Sequence, residues 1–230
     1  MKVFRNLSLL VLLAVFVALD ARGTEELVYG NSTSDRPDGG NGASANFTNQ
    51  SIQALNFYTG LTSFVALNQG WVLLRNDAGA TVDFTVGIYA NGANVPTGTA
   101  LGITTMAVSN NGEDSWRNFV FSSPVVLSLN TTYWVVISAE TTVDVNWLLP
   151  SPPSSTTYTA FNDSGWGPPS PLLRANSPNG GSSWNTGQPA EMGMQLSAST
   201  VPEPGAVGLL MIGLVLGGWC LRGRLWGCRA

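Results

Sequence analysis

The segment Thr81-Val82-Asp83-Phe84-Thr85-Val86-Gly87-Ile88-Tyr89 decides the fold class. Val82, Phe84, Val86 and Ile88 alternate with Thr81, Asp83, Thr85, Gly87 and Tyr89. Successive side chains of a strand point to opposite faces, so an apolar set with a period of two reads as a half-buried strand. The same alternation recurs at Val125, Leu127 and Leu129, and at Met192, Met194 and Leu196. Tyr133–Ile137 is instead a continuous run of β-favouring residues, which predicts a central strand covered on both faces. Further strands are expected over Ile52–Tyr58, Leu61–Leu67, Trp71–Arg75, Trp116–Ser122, Asp144–Leu148 and Thr156–Phe161. Turn chemistry separates them at Asn68-Gln69-Gly70, Asn76-Asp77-Ala78-Gly79, Asn91-Gly92, Asn110-Asn111-Gly112 and Asn130. No stretch between the chain ends sustains a 3.6-residue period. The expectation is an all-β domain over residues 50–199, an antiparallel β-sandwich of jelly-roll-like form. Residues 30–51 are rich in Gly, Asn, Ser and Asp, so residues 24–49 are expected as a flexible leader.

Composition narrows the chemistry. The chain has 230 residues, of which 44% are hydrophobic and 10% charged, with no histidine and two cysteines. The absence of histidine removes His-based triads, imidazole acid–base catalysis and His metal sites. Between residues 24 and 201 the cations are Arg36, Arg75, Arg117 and Arg174, outnumbered by carboxylates. Nucleic acid is therefore not expected as a partner, since phosphate binding needs a positive surface. Cys220 and Cys228 both lie near the C-terminus, so the domain must depend on its apolar core rather than on disulfides.

The ends carry localisation signals. Lys2 and Arg5 precede the uncharged run Leu7–Leu19, with small residues at Ala18, Ala21 and Gly23. A basic start, a short apolar stretch and small residues near a cut are the layout of a signal peptide, here residues 1–23. At the other end, Val201-Pro202-Glu203-Pro204 precedes the uncharged stretch Gly205–Leu221 and a basic tail, residues 222–230, with Arg222, Arg224 and Arg229. Seventeen residues are at the short limit for a membrane-spanning helix, and the arginines after it favour a cytoplasmic C-terminus as a stop-transfer signal. Pro204 suits the first turn of such a helix because its missing N–H would be unpaired there anyway.

This run of PEP motif, Gly-rich apolar helix and basic end, residues 201–230, resembles the PEP-CTERM sorting signal of exported bacterial proteins. The resemblance implies that Pro202, Glu203 and Pro204 lie outside the membrane and are recognised by an exosortase-type transpeptidase. It also implies an anchored precursor in the inner membrane that passes to the cell surface or extracellular matrix. The longer tail, Leu225–Ala230 with Trp226 and Cys228, departs from the commonest form. A second resemblance covers about residues 50–199. Gly87-Ile88-Tyr89-Ala90-Asn91-Gly92, Pro96-Thr97-Gly98-Thr99, Phe119-Val120-Phe121 and Leu129-Asn130-Thr131-Thr132-Tyr133-Trp134 resemble the choice-of-anchor R domain. That domain is a β-sandwich module of surface-anchored proteins and implies no catalytic residues.

Within the domain, no G-x-S-x-G elbow or phosphate-cradling loop is present, and no cofactor is expected. A carboxylate-dependent glycosidase is the remaining catalytic option, but Asp77, Asp83, Glu113, Asp114, Glu140, Asp144 and Glu191 show no spacing that selects a pair. The expectation is a non-enzymatic protein with a structural or adhesive role beside exopolysaccharide. Asp35 and Asp38, and Glu113 and Asp114, stand on Gly-containing loops as weak calcium candidates, without the full loop motif. Trp166 and Trp184 lie in Gly-, Pro-, Ser- and Asn-rich loops and are candidate glycan contacts, with core closure as the competing role.

Overall fold

The computed structural model describes residues 25–30, 40–47, 51–61, 64–109, 112–139, 145–150, 159–160, 164–187 and 192–200. The expected signal peptide, residues 1–23, the PEP motif and the segment Gly205–Leu221 lie outside them. Residues 24–200 form one compact unit. Among the described residues no helix is long and apolar enough to cross a membrane.

The strands are β1 (Glu26–Gly30), β2 (Gly40–Asn46), β3 (Ile52–Tyr58), β4 (Phe64–Asn76), β5 (Val82–Gly92), β6 (Val95–Val108), β7 (Asp114–Val126), β8 (Thr132–Ala139), β9 (Val145–Pro150), β10 (Thr159–Ala160), β11 (Arg174–Ser177), β12 (Asn185–Thr186) and β13 (Met194–Thr200). They make two antiparallel sheets. One runs β10-β1-β13-β4-β9-β2, with β7 also paired to β4; the other runs β12-β11-β3-β8-β5-β6. The fold is an all-β sandwich.

Period-two patterning builds the core. Val82, Phe84, Val86 and Ile88 of β5 join Leu55 and Phe57 of β3 and Tyr133, Val135 and Ile137 of β8 in one buried cluster. From the other sheet come Val72 and Leu74 of β4, Phe119 and Phe121 of β7, and Met194, Leu196 and Ala198 of β13. Strand β8 lies between β3 and β5, and its outward Trp134 and Val136 are buried too. The continuous apolar run thus marks a strand covered on both faces. At the edge, β6 and β7 close the two sheets toward each other: Thr104 Oγ1 donates to Val120 O at 2.7 Å. Gly102 permits this approach, since a Cβ there would stand 2.2 Å from Val125 Cγ2.

Two expectations are corrected. The leader expected over 24–49 contains ordered strands: among its described residues β1 and β2 belong to the first sheet, and Val28, Tyr29 and Phe47 are fully buried. The Phe47 ring meets Phe84 edge-on at 5.1 Å, joining this stretch to the opposite sheet. The polar composition of 30–51 hid Phe47. Second, Asn68-Gln69-Gly70 is not a turn. It lies inside β4, where Gln69 pairs with Ser197 and Leu67 with Ala198 of β13, so a bulge at Asn68 absorbs the break without ending the strand. A third difference is an addition: β6 has no counterpart among the expected strands, because its apolar Leu101 and Ile103 face outward while Gly102 and Thr104 face the core side.

Candidate functional site

The outward face of the six-stranded sheet gathers the aromatic groups that a ligand could meet. Lateral pairing places Ala175, Ala54, Val136, Gly87 and Ile103 in one row across β11, β3, β8, β5 and β6. The neighbouring row contains Asn56, Trp134 and Tyr89. Ala54, Trp134, Val136 and Ala175 form a buried cluster separate from the main core, with Ile52, Tyr89, Leu173 and Trp184 packed over it.

Two aromatics on this face are half-buried. Tyr89 folds back along its own strand: a Cβ at residue 87 would lie 2.7 Å from Tyr89 Cε2. Its ring therefore rests on the bare backbone of Gly87 and turns a face outward. Trp184 follows the turn after β11 and lies near Ile52, over the other side of the cluster. Between them, Trp134 donates its indole N–H to Asn91 Oδ1 at 2.9 Å. That bond satisfies the buried indole and leaves the amide NH2 of exposed Asn91 as a donor at the edge of the patch. Beside Tyr89, Leu101 and Ile103 are 49% and 59% exposed.

Asn56 holds the covering segment in place. Its side-chain Nδ2 donates to Pro171 O at 3.2 Å, and its Oδ1 accepts from Leu173 N at 2.8 Å. A buried amide thus pairs with the 171–173 backbone as a strand would. Among the described residues the two rows hold no charged side chain; hydroxyl groups come from Thr85, Thr105 and Ser138 in the next row, and exposed Asp83 lies farther along β5 on the same face.

The residues singled out in the sequence fall differently. Trp166 is fully buried and stacks on Phe57, ring centroids 5.6 Å apart and 15° from parallel. Its indole belongs to the core, the competing role named above for this candidate, and no face is open to a sugar. Trp184 keeps a partly open side chain and joins the outward patch. Glu113 is exposed, and Asp114 lies 3.9 Å from Arg75, whose Nε is 3.0 Å from Asp77. This arginine gives Asp114 a cationic neighbour inside the candidate calcium loop, while Asp35 and Asp38 lie outside the described residues. Among the described residues no three potential metal ligands cluster. Val201, Pro202, Glu203, Pro204, Arg222, Arg224 and Arg229 also lie outside them.

Tyr89 was missed as a site residue. The readable signal was Gly87 in a strand two positions before an aromatic on the same face, because an isolated strand glycine marks a close approach. Compared with known families and curated proteins, the chain matches no family model and no curated sequence.

Proposed function

We propose that this chain is an exported bacterial surface or extracellular-matrix protein with a structural or adhesive role beside exopolysaccharide. The observation that carries the reading is the order of features at the C-terminus: Val201-Pro202-Glu203-Pro204, the uncharged Gly205–Leu221, then Arg222, Arg224 and Arg229. A basic-then-apolar N-terminus and a domain without cysteine agree with it. In this reading residues 1–23 direct export, and Gly205–Leu221 anchors the precursor in the inner membrane. An exosortase-type transpeptidase then acts near Pro202–Pro204, and the sandwich is a jelly-roll-like module of the choice-of-anchor R kind. The test is fractionation of cells producing the native chain and a variant carrying Pro202→Ala, Glu203→Ala and Pro204→Ala. The native domain leaves the inner membrane and the variant stays; equal retention of both contradicts the reading.

A second reading is favoured by the outward aromatic patch: the sandwich itself binds a neutral glycan. An aromatic ring lying flat on a sheet offers a sugar ring a stacking face, and flanking amide and hydroxyl groups offer hydrogen bonds. A patch whose rows bear no cation suits a neutral polysaccharide better than a polyanionic one. Tyr89 and Trp184 would be the contacts, with Asn91 beside them. Retention of the native domain on immobilised neutral polysaccharide, lost in Tyr89→Ala and Trp184→Ala, supports it; unchanged retention in both variants sinks it.

A further inference from the structure

The two ends of the sandwich differ in chemistry, and the chain leaves by one of them. Thr200, the last residue of β13, pairs with Phe64 at the start of β4. Glu26, at the start of β1, pairs with Ala198. Both described chain ends therefore lie at the same end of the sandwich. The 59–61 and 127–131 loops lie there too, joined by Asn130 N donating to Gly60 O at 3.1 Å and Thr59 Oγ1 donating to Ser128 O at 2.7 Å. This end carries exposed aliphatics: Leu61 at 77%, Val126 at 66% and Leu129 at 42%. Its charged groups among the described residues are Glu25 and Glu26. The opposite end carries Arg75, Asp77, Asp83, Glu113 and Asp114.

We infer that the end bearing Leu61, Val126 and Leu129 rests on the lipid surface while the chain is still anchored. This rests on the proposal that Gly205–Leu221 spans the membrane. The four residues Val201–Pro204 reach about 14 Å at most, even fully extended. The headgroup zone alone is roughly 5–8 Å deep on each side of a bilayer. So short a tether holds the Thr200 end against that zone, and exposed apolar side chains grouped at one place suit contact with it. Few charges would have to lose water there, whereas the opposite end would have to desolvate several. The orientation stands the sheet faces beside the membrane rather than on it, with Tyr89 toward the lipid-proximal end, since Ala90 pairs with Tyr133 next to the 127–131 loop.

The test uses the full chain with Cys220→Ala and Cys228→Ala, reconstituted in phosphatidylethanolamine and phosphatidylglycerol vesicles containing brominated acyl chains. A polarity-sensitive fluorophore is attached at Leu61→Cys, Val126→Cys or, for the opposite end, Glu113→Cys. All three positions are exposed, and circular dichroism checks that each labelled chain keeps its strand content. Quenching by brominated lipid is expected to be several-fold stronger at residues 61 and 126 than at residue 113. Flotation with the vesicles but equal, weak quenching at all three overturns this inference and leaves the anchor standing. Failure to float overturns the anchor and this inference together. A residue 61 label that becomes dehydrated with rising protein concentration, without lipid quenching, replaces the lipid surface with a second copy of the chain.

Discussion

Trp166 and Trp184 stand in loops of nearly the same composition, yet one closes the core and the other lies outside a sheet. Ser164 Oγ donates to Val28 O at 2.7 Å and accepts from Trp166 N at 3.2 Å, fastening the first loop to β1 and directing its indole onto Phe57. The second loop is held by polar turns: Asn179 Oδ1 accepts from Ser177 Oγ and Ser183 N, and Gly181 N donates to Ser177 Oγ. It lays Trp184 over small residues, Ala54 and Ala175, on a face with solvent beyond it. A tryptophan's role is thus decided by what its loop is tied to. Loop composition does not distinguish a packing aromatic from a recognition aromatic.

Substitutions that separate packing from recognition test this contrast. The largest effect is expected for Trp166→Ala, which removes a fully buried indole and costs about 3–5 kcal/mol of stability. Urea unfolding measures it, and a cost near zero would return Trp166 to the list of exposed contacts. Asn76→Ala comes next. Asn76 Nδ2 donates to Val108 O at 2.7 Å and to Ala80 O at 2.9 Å, while its Oδ1 accepts from Ala78 N. Leaving such groups unpaired costs about 2–3 kcal/mol, with no change in glycan retention per folded molecule.

Recognition variants behave in the opposite way. Tyr89→Ala and Trp184→Ala are expected to weaken glycan binding about tenfold, equivalent to about 1.4 kcal/mol. Their unfolding midpoints should move far less than that of Trp166→Ala. Gly87→Ala is the sharper probe, because it leaves Tyr89 in the sequence but lifts its ring from the backbone. Lost retention with a nearly unchanged unfolding midpoint would show that the flat placement of the ring matters.

The smallest effect concerns Tyr29 and pH. Burial raises its phenol pKa well above the usual value. The unfolded chain releases this proton near pH 10, while the folded chain holds it to higher pH. The folded state then binds more protons than the unfolded one, so this contribution to stability is full below about pH 10 and declines above it. Thermal unfolding from pH 8 to pH 11 should show the decline, and Tyr29→Phe should make it shallower.

The sandwich was readable wherever one face is apolar and the other polar. β5 follows the alternation, and Tyr133–Ile137 identifies the central strand. The pattern fails where a strand inverts the rule. β6 turns Leu101 and Ile103 outward, so its hydrophobic side is not its core side. The polar composition of 30–51 hid β2 and the buried Phe47, and β1 with Val28 and Tyr29, just before it, was read with it. Of the candidate site, Trp184 was legible from its loop. Alternation already places Tyr89 on the outward face; what it does not encode is the ring folding back over Gly87, a tertiary choice.

The central claim, that the chain is sorted by cleavage at its PEP motif, is tested most directly by mapping the termini of the mature protein. Between Arg174 and Arg222 there is no lysine or arginine, so trypsin reports the C-terminal region in one long peptide beginning at Ala175. The account predicts that this peptide ends near Pro202–Pro204 and lacks the Gly205–Leu221 stretch. Recovery of an intact Ala175–Arg222 peptide from the surface fraction would contradict it.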